Sequence, residues 1–157
     1  EALVHHAIAE HNLPATVLRI SNPYGYPVPT GRAQGIIPHA IRAATEGHSL
    51  KLWGNGHAKK DFIYYTDFLS ALEEIISQRL IGTFNLASGE SHSIREIIAL
   101  VENQTDKTVS IEELPAPEWD VQDSRLDNQR LCQAIDWKPQ VSLEEGIRRS
   151  VAGFLAR

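Results

Sequence analysis

The sequence predicts an α/β fold, and three observations carry that prediction. Residues 1–12, EALVHHAIAEHN, place Leu3, Val4, Ala7, Ile8 and His11 on one helical stripe. LPATVLRI follows at 13–20, with Pro14 as a helix stop and Val17, Leu18 and Ile20 as strand residues. Downstream, short strand-like segments alternate with capped amphipathic ones. A strand apolar on both faces is usually buried on both, as in parallel sheets. The first strand therefore calls for neighbours, and too few parallel-type strands follow to flank it, which points to structure missing upstream.

The remaining elements follow in order. Pro27, Pro29 and Gly31 mark a loop over 26–34. IIPHAIRAATE, 36–46, reads as a helix with Pro38 near its start and Gly47 as its stop. SLKLW (49–53) and DFIYY (61–65) are strands around the turn signal GNG (54–56), a pattern that on its own is a β-hairpin with a solvated tip. Thr66 or Asp67 caps a helix to about Gln78, and GTFNLAS (82–88) is a third strand. Ser93 and Glu96 form a capping box ahead of another helix, and Ser142 and Glu145 form one ahead of the last, which runs to about Leu155. Between them lie a strand over 108–114, a loop over 115–119 and a short helix capped by Asp127 that runs through Ala134.

The 157 residues suit one folding unit with a sizeable core. A net charge of −5 without clustered Lys and Arg argues against a nucleic-acid partner. No apolar run approaches the ~20 residues that cross a bilayer, so no membrane partner is expected. Cys132 is the single cysteine and can form no internal disulfide, which fits a reducing, cytoplasmic setting. The histidines lack metal-ligand spacing, so no metal site is expected. The chain begins at Glu1 and has no methionine, which fits a processed product or part of a longer chain.

Two stretches offer chemistry. RISNPYG (19–25) ends the first strand in Ser21, Asn22, Pro23, Tyr24 and Gly25, and open α/β sheets bind ligands at strand carboxyl ends. An asparagine offers a donor and an acceptor to a sugar hydroxyl or phosphate oxygen. Alone, the heptad reads first as a strand followed by an ordinary Asn-Pro turn. In KLWGNGHAKKDFIYYTD (51–67), Trp53 suits stacking on a base, and Lys59 and Lys60 suit phosphate. GNGHAKK is not a phosphate loop, because it lacks the Gly-Lys-Ser/Thr order and leads into no helix.

Taken in order, LRISNPYG, GIIPHAIRAATEG, LKLWGNGHAKKDFIYYTDFLSAL, GTFNLASGESHSIREI and DSRLDNQRLCQAIDWKPQVSLEEGI resemble the C-terminal half of an extended short-chain dehydrogenase/reductase. Within that family the chain most resembles the NAD-dependent nucleotide-sugar epimerases and dehydratases, a group that includes UDP-glucose 4-epimerases. The resemblance implies that residues 1–25 are the last helix–strand part of a Rossmann-like, NAD-binding sheet. It implies that 26–157 are a small mixed α/β region binding a nucleotide-diphosphate sugar. Ser21 and Pro23 would lie on the cofactor side, and Asn22 would reach the diphosphate. Gly35 and Ile36 would enter the helix over the nucleotide. Lys51, Leu52 and Trp53 would meet the base through their backbone, with Trp53 against it. Lys60 stands where the family carries a diphosphate-binding Arg, Asn85 would lie near the nucleotide, and Asp120 would take the ribose hydroxyls.

Three positions depart from the family pattern. Tyr26 replaces the proline after YG, Lys60 replaces a bidentate Arg with a point charge, and Pro117 stands at a second Arg position. The glycine-rich dinucleotide loop and the YxxxK pair do not occur in this sequence. The resemblance places the Tyr/Lys pair just upstream of Glu1, so no catalytic residue is expected within the chain and the chain alone is expected to be inactive. The implied full-length mechanism is hydride transfer to NAD, rotation of a 4-keto UDP-sugar and hydride return. A 4,6-dehydratase or decarboxylase and a non-catalytic sugar-nucleotide-binding domain remain alternatives. The resemblance also implies a possible homodimer.

Overall fold

A computed structural model describes residues 1–26, 34–117 and 120–156. Most of the loop expected over 26–34, and residues 118 and 119 of the loop expected over 115–119, lie outside the described residues. The chain opens with α1 (Ala2–His11) and β1 (Thr16–Ile20), followed by the short strand β2 (Asn22–Tyr24). Next come α2 (Ile36–Glu46), β3 (Leu50–Trp53), β4 (Lys59–Tyr64) and α3 (Tyr65–Ser77). β5 (Gly82–Leu86), β6 (Ser91–Ser93), α4 (Ile94–Thr105) and β7 (Ile111–Leu114) follow. The chain ends with β8 (Asp123–Ser124), α5 (Gln129–Ile135) and α6 (Leu143–Leu155).

Among the described residues the strands form three groups. β1 pairs in parallel with β5, and β3 pairs in parallel with β7. β4 is the hub of the third: β2 runs parallel along Phe62–Tyr64, while β6 and β8 flank its first residues. The hairpin reading of 49–65 is therefore corrected, because β3 and β4 do not pair with each other. Parallel pairing of β3 needs a distant partner, and a tight turn cannot supply one.

β4 also divides the core by the period-2 alternation of a strand. Phe62 and Tyr64 enter a core built from α2, α4 and α6, with Ile41, Ile97, Val101 and Ile147 at its centre. Ile63 enters a second core with Ile75, Phe84, Leu86 and Leu131. Close approach in the first core needs glycine: a Cβ on Gly146 of α6 would collide with the Tyr24 hydroxyl.

The Ser93/Glu96 capping box forms in full, whereas at Ser142 only half of the expected box forms, because the Glu145 carboxylate is taken by Arg148 and Arg149. Ser93 Oγ accepts from Glu96 N at 3.1 Å and the Glu96 carboxylate accepts from Ser93 N at 2.6 Å. Ser142 Oγ accepts from Glu145 N at 3.3 Å. Asp127 accepts from Gln129 N at 2.9 Å, one residue ahead of the helix cap Asn128. Asp67 is a correction. α3 starts at Tyr65 with no side-chain cap, and the buried Asp67 instead accepts from Gln140 N and Val141 N at 3.0 and 2.9 Å. That long-range tether outweighs a local cap because the carboxylate is buried and must be paired.

The first strand departs from its expected burial. β1 gains one parallel partner, yet Ile20 is 44% exposed and α1 has no buried residue. Two expectations on packing can be measured. Gly146→Ala forces a methyl into Tyr24 and should cost about 2 kcal/mol or more in urea unfolding. Thermal melts should show Leu3→Ser, on exposed α1, to be nearly neutral.

Candidate nucleotide-binding site

The stretch after β1 shows why an apolar strand ends in SNPYG. Ser21 N continues the β1–β5 ladder by donating to Leu86 O at 3.1 Å. Ser21 Oγ is buried without a hydrogen-bond partner among the described residues. Asn22 Nδ2 donates to the Asp61 carbonyl at 2.7 Å, which fixes the amide against β4. Pro23 lacks an N–H, which a short edge strand tolerates. Tyr24 is buried, and burial pushes its phenol well above the ordinary value of 10.0. Gly25 has φ of +86°, and the Tyr64 ring fills the space where a Cβ would stand.

Asp61 anchors this corner. It is 1% exposed. Oδ1 accepts from Ser88 N at 2.9 Å and Ser88 Oγ at 2.8 Å, and Oδ2 accepts from Gly89 N at 3.0 Å. The carboxylate thus binds β4 to the turn after β5, and its backbone carbonyl binds Asn22.

A cleft of about 510 Å³ opens between α2 and β3. Gly35 and Ile36 line it at the helix entrance, His39 and Arg42 along α2, and Lys51 and Trp53 on β3. β3 alternates, with Leu50 and Leu52 buried and Lys51 and Trp53 exposed. The Trp53 indole is 58% exposed and free to stack. The Leu52 side chain is 2% exposed and faces inward, which leaves only its backbone for a base, and Leu50 is the leucine that lines the cleft. Sequence reasoning passed over His39 and Arg42, although their spacing from Ile36 places all three on one helix face.

The other expected residues sit elsewhere and are already engaged. Lys60 Nζ donates to Asp120 Oδ1 at 3.0 Å and to Val121 O at 2.7 Å. The residues expected at the diphosphate and at the ribose therefore hold each other. Asn85 Nδ2 donates to Asp127 O at 2.8 Å, tying β5 to the entrance of α5. At the cleft rim, Glu46 receives Arg42 Nη2 at 2.9 Å and lies 3.1 Å from His48 Nε2. Hydrogen bonding to Arg42 holds the Glu46 carboxyl below its ordinary value of 4.5.

Residues 1–87 match the model of the NAD dependent epimerase/dehydratase family. UDP-glucuronic acid decarboxylase 1 of Danio rerio is 25% identical over 154 residues, covering 98% of this chain and 37% of that protein. dTDP-glucose 4,6-dehydratase 1 of Escherichia coli is 26% identical, covering 93% of this chain and 42% of that one. Among solved structures, the NAD complex of UDP-glucose 4-epimerase from Thermus thermophilus superposes with a TM-score of 0.87 at 26% identity. That superposition covers 98% of this chain and 50% of the other. The chain belongs to the NAD-dependent epimerase/dehydratase family and has its Rossmann-like α/β fold. It spans half or less of the length of these relatives.

Two measurements check this geometry. A carbon-detected NMR titration should find Glu46 titrating below 4.5, and Arg42→Ala should return it toward that value. Asp61→Asn puts an amide N–H₂ against backbone donors and should cost about 3 kcal/mol in urea unfolding.

Proposed function

We propose that this chain forms the nucleotide-sugar-binding half of an NAD-dependent epimerase acting at C4 of a UDP-sugar. In this reading residues 1–25 complete the cofactor-binding sheet and 26–157 hold the substrate. The observation that carries the reading is the cleft that joins Gly35 and Ile36 to Lys51 and Trp53. A flat, exposed indole suits stacking on a nucleobase, and the backbone of an exposed strand beside it suits a base edge. The first peptide N–H groups of α2 face the helix entrance, where partial positive charge favours an anionic ligand.

The cofactor fits on one observation of the chain itself. Ser21 Oγ is a buried hydroxyl lacking a partner among the described residues at the carboxyl end of β1, where a ligand would satisfy it. Ser21 and Pro23 would then border the nicotinamide. Bound there, NAD supplies a hydride acceptor and donor for the sugar C4. The chain's own part is to orient and enclose the substrate: Trp53 fixes the base, and Asn22, locked onto Asp61, presents a rigid edge toward the diphosphate. The exposed α1 and the exposed end of β1 are consistent with packing against further α/β structure.

Relatives named as a decarboxylase and a 4,6-dehydratase match as well as the epimerase does, so those activities form the second reading. Product analysis with the Tyr/Lys-bearing half present separates them: a 4-epimer, a 4-keto-6-deoxy sugar, or a pentose with released CO2. Three outcomes follow for the chain itself. UDP should bind and quench Trp53 fluorescence. Trp53→Ala should weaken UDP by about tenfold or more in calorimetry. No sugar turnover should be detected from the chain alone, and robust epimerisation would overturn that expectation.

A further inference from the structure

Trp53 lines the cleft from the last position of β3, and the chain leaves it through Gly54, Asn55 and Gly56. The first residues of α4 hold that turn. Ile94 N donates to Ala58 O at 3.3 Å and Arg95 N to Gly56 O at 3.1 Å, so two donors that a helix start leaves free are spent there. The Arg95 side chain adds two more bonds: Nε donates to Asn55 O at 2.6 Å, and Nη2 to Glu113 Oε1 at 2.7 Å. Glu113 lies on β7 in register with Leu52, one residue before Trp53. Gly54 N, one residue after it, continues the ladder by donating to Leu114 O at 2.7 Å. The guanidinium thus closes a ring that runs through Asn55, Trp53 and the β3–β7 pair. A Cβ on Gly56 would stand 3.0 Å from Arg95 Cγ, so the arginine stem lies close on the turn.

We propose that Arg95 is a positioning residue for Trp53: it fixes the turn after β3 and so holds the indole ready over the cleft. This rests on the nucleotide reading above. Arg95 does not line the cleft, so it acts through Trp53. An indole 58% exposed has little packing to orient it, and the backbone on either side sets where it points. On one side Leu52 is buried and laddered to β7. On the other, Gly54 and Gly56 both have positive φ, in a segment whose glycines leave many backbone conformations open. Arg95 restrains that second side. A planar guanidinium keeps Nε–H and Nη2–H in one fixed relation, so gripping Glu113 on β7 dictates where Asn55 O sits. An indole ordered before a base arrives spares the ordering cost on binding.

Fluorine NMR of fluorotryptophan-labelled chain, together with UDP calorimetry, tests this. Trp53→Phe and Trp137→Phe assign the two resonances, and Trp137, whose Nε1 donates to Ser70 Oγ at 2.9 Å, is the internal control. Arg95→Ala should shift or broaden the Trp53 resonance, leave that of Trp137 unchanged and weaken UDP by about fivefold. In a Trp53→Ala background the same substitution should cost UDP nothing further, because the arginine acts through the indole. Glu113→Ala frees one end of the guanidinium and should move the Trp53 resonance in the same direction, by less. An unmoved Trp53 resonance in Arg95→Ala, or an equal loss of UDP with and without the indole, would overturn the proposal. Circular dichroism melts report folding, and if Arg95→Ala does not fold, an unmoved Trp53 resonance in Glu113→Ala overturns it instead. Wild-type chain that binds no UDP would overturn the nucleotide reading and this inference with it, whereas bound UDP with an unmoved resonance overturns this inference alone.

Discussion

The buried Asp61 carboxylate is the constraint on which the rest of this structure depends. A carboxylate 1% exposed is strongly unfavourable unless hydrogen-bonded, and three donors from Ser88 and Gly89 meet that need. The partners come from the turn after β5, whereas Asp61 lies on β4. One residue therefore joins the β1–β5 sheet to the β4 hub. Its carbonyl adds Asn22, so the end of β1, the end of β5 and the middle of β4 meet at one corner. Ser21, whose hydroxyl has no partner among the described residues, lies at this same corner.

From that corner the two cores follow with little freedom. Asp61 and Ile63 face one side of β4, and Phe62 and Tyr64 face the other, by strand alternation alone. Tyr24 then stacks edge-on to Phe62 and Tyr64 and leans on Gly146. Gly25 turns the chain away because the Tyr64 ring leaves no room for a side chain. The packing that holds α6 and the geometry that ends β2 are thus one arrangement. The same framework sets α2 against β3 and so opens the cleft that carries the proposed function.

Local signals were legible wherever the governing interaction is local. The Ser93/Glu96 capping box, the Ser142 cap, the helix stop at Gly47 and the alternation that exposes Trp53 depend on residues within a few positions of one another. The pairs Lys60–Asp120 and Asp67–Gln140 span 60 and 73 positions, and no spacing rule reports them. The same holds for β3, whose parallel partner β7 lies far along the chain, so a turn signal suggested a hairpin that does not form. β2, β6 and β8, of three, three and two residues, are too short for a periodicity to reveal.

The sequence by itself determined the α/β class, the order of the main helices and strands and, through its ordered motifs, the family. These rest on hydrophobic period, caps and glycine punctuation, which are written locally. Only the tertiary structure decided which expected residues share a cleft and which are already occupied with one another. Gly35, Ile36, Lys51 and Trp53 converge because α2 packs beside β3, while Lys60 and Asp120 pair because β8 lies alongside β4. A side chain's available charge and donors depend on what folding brings within hydrogen-bond reach, and that is a property of three-dimensional packing.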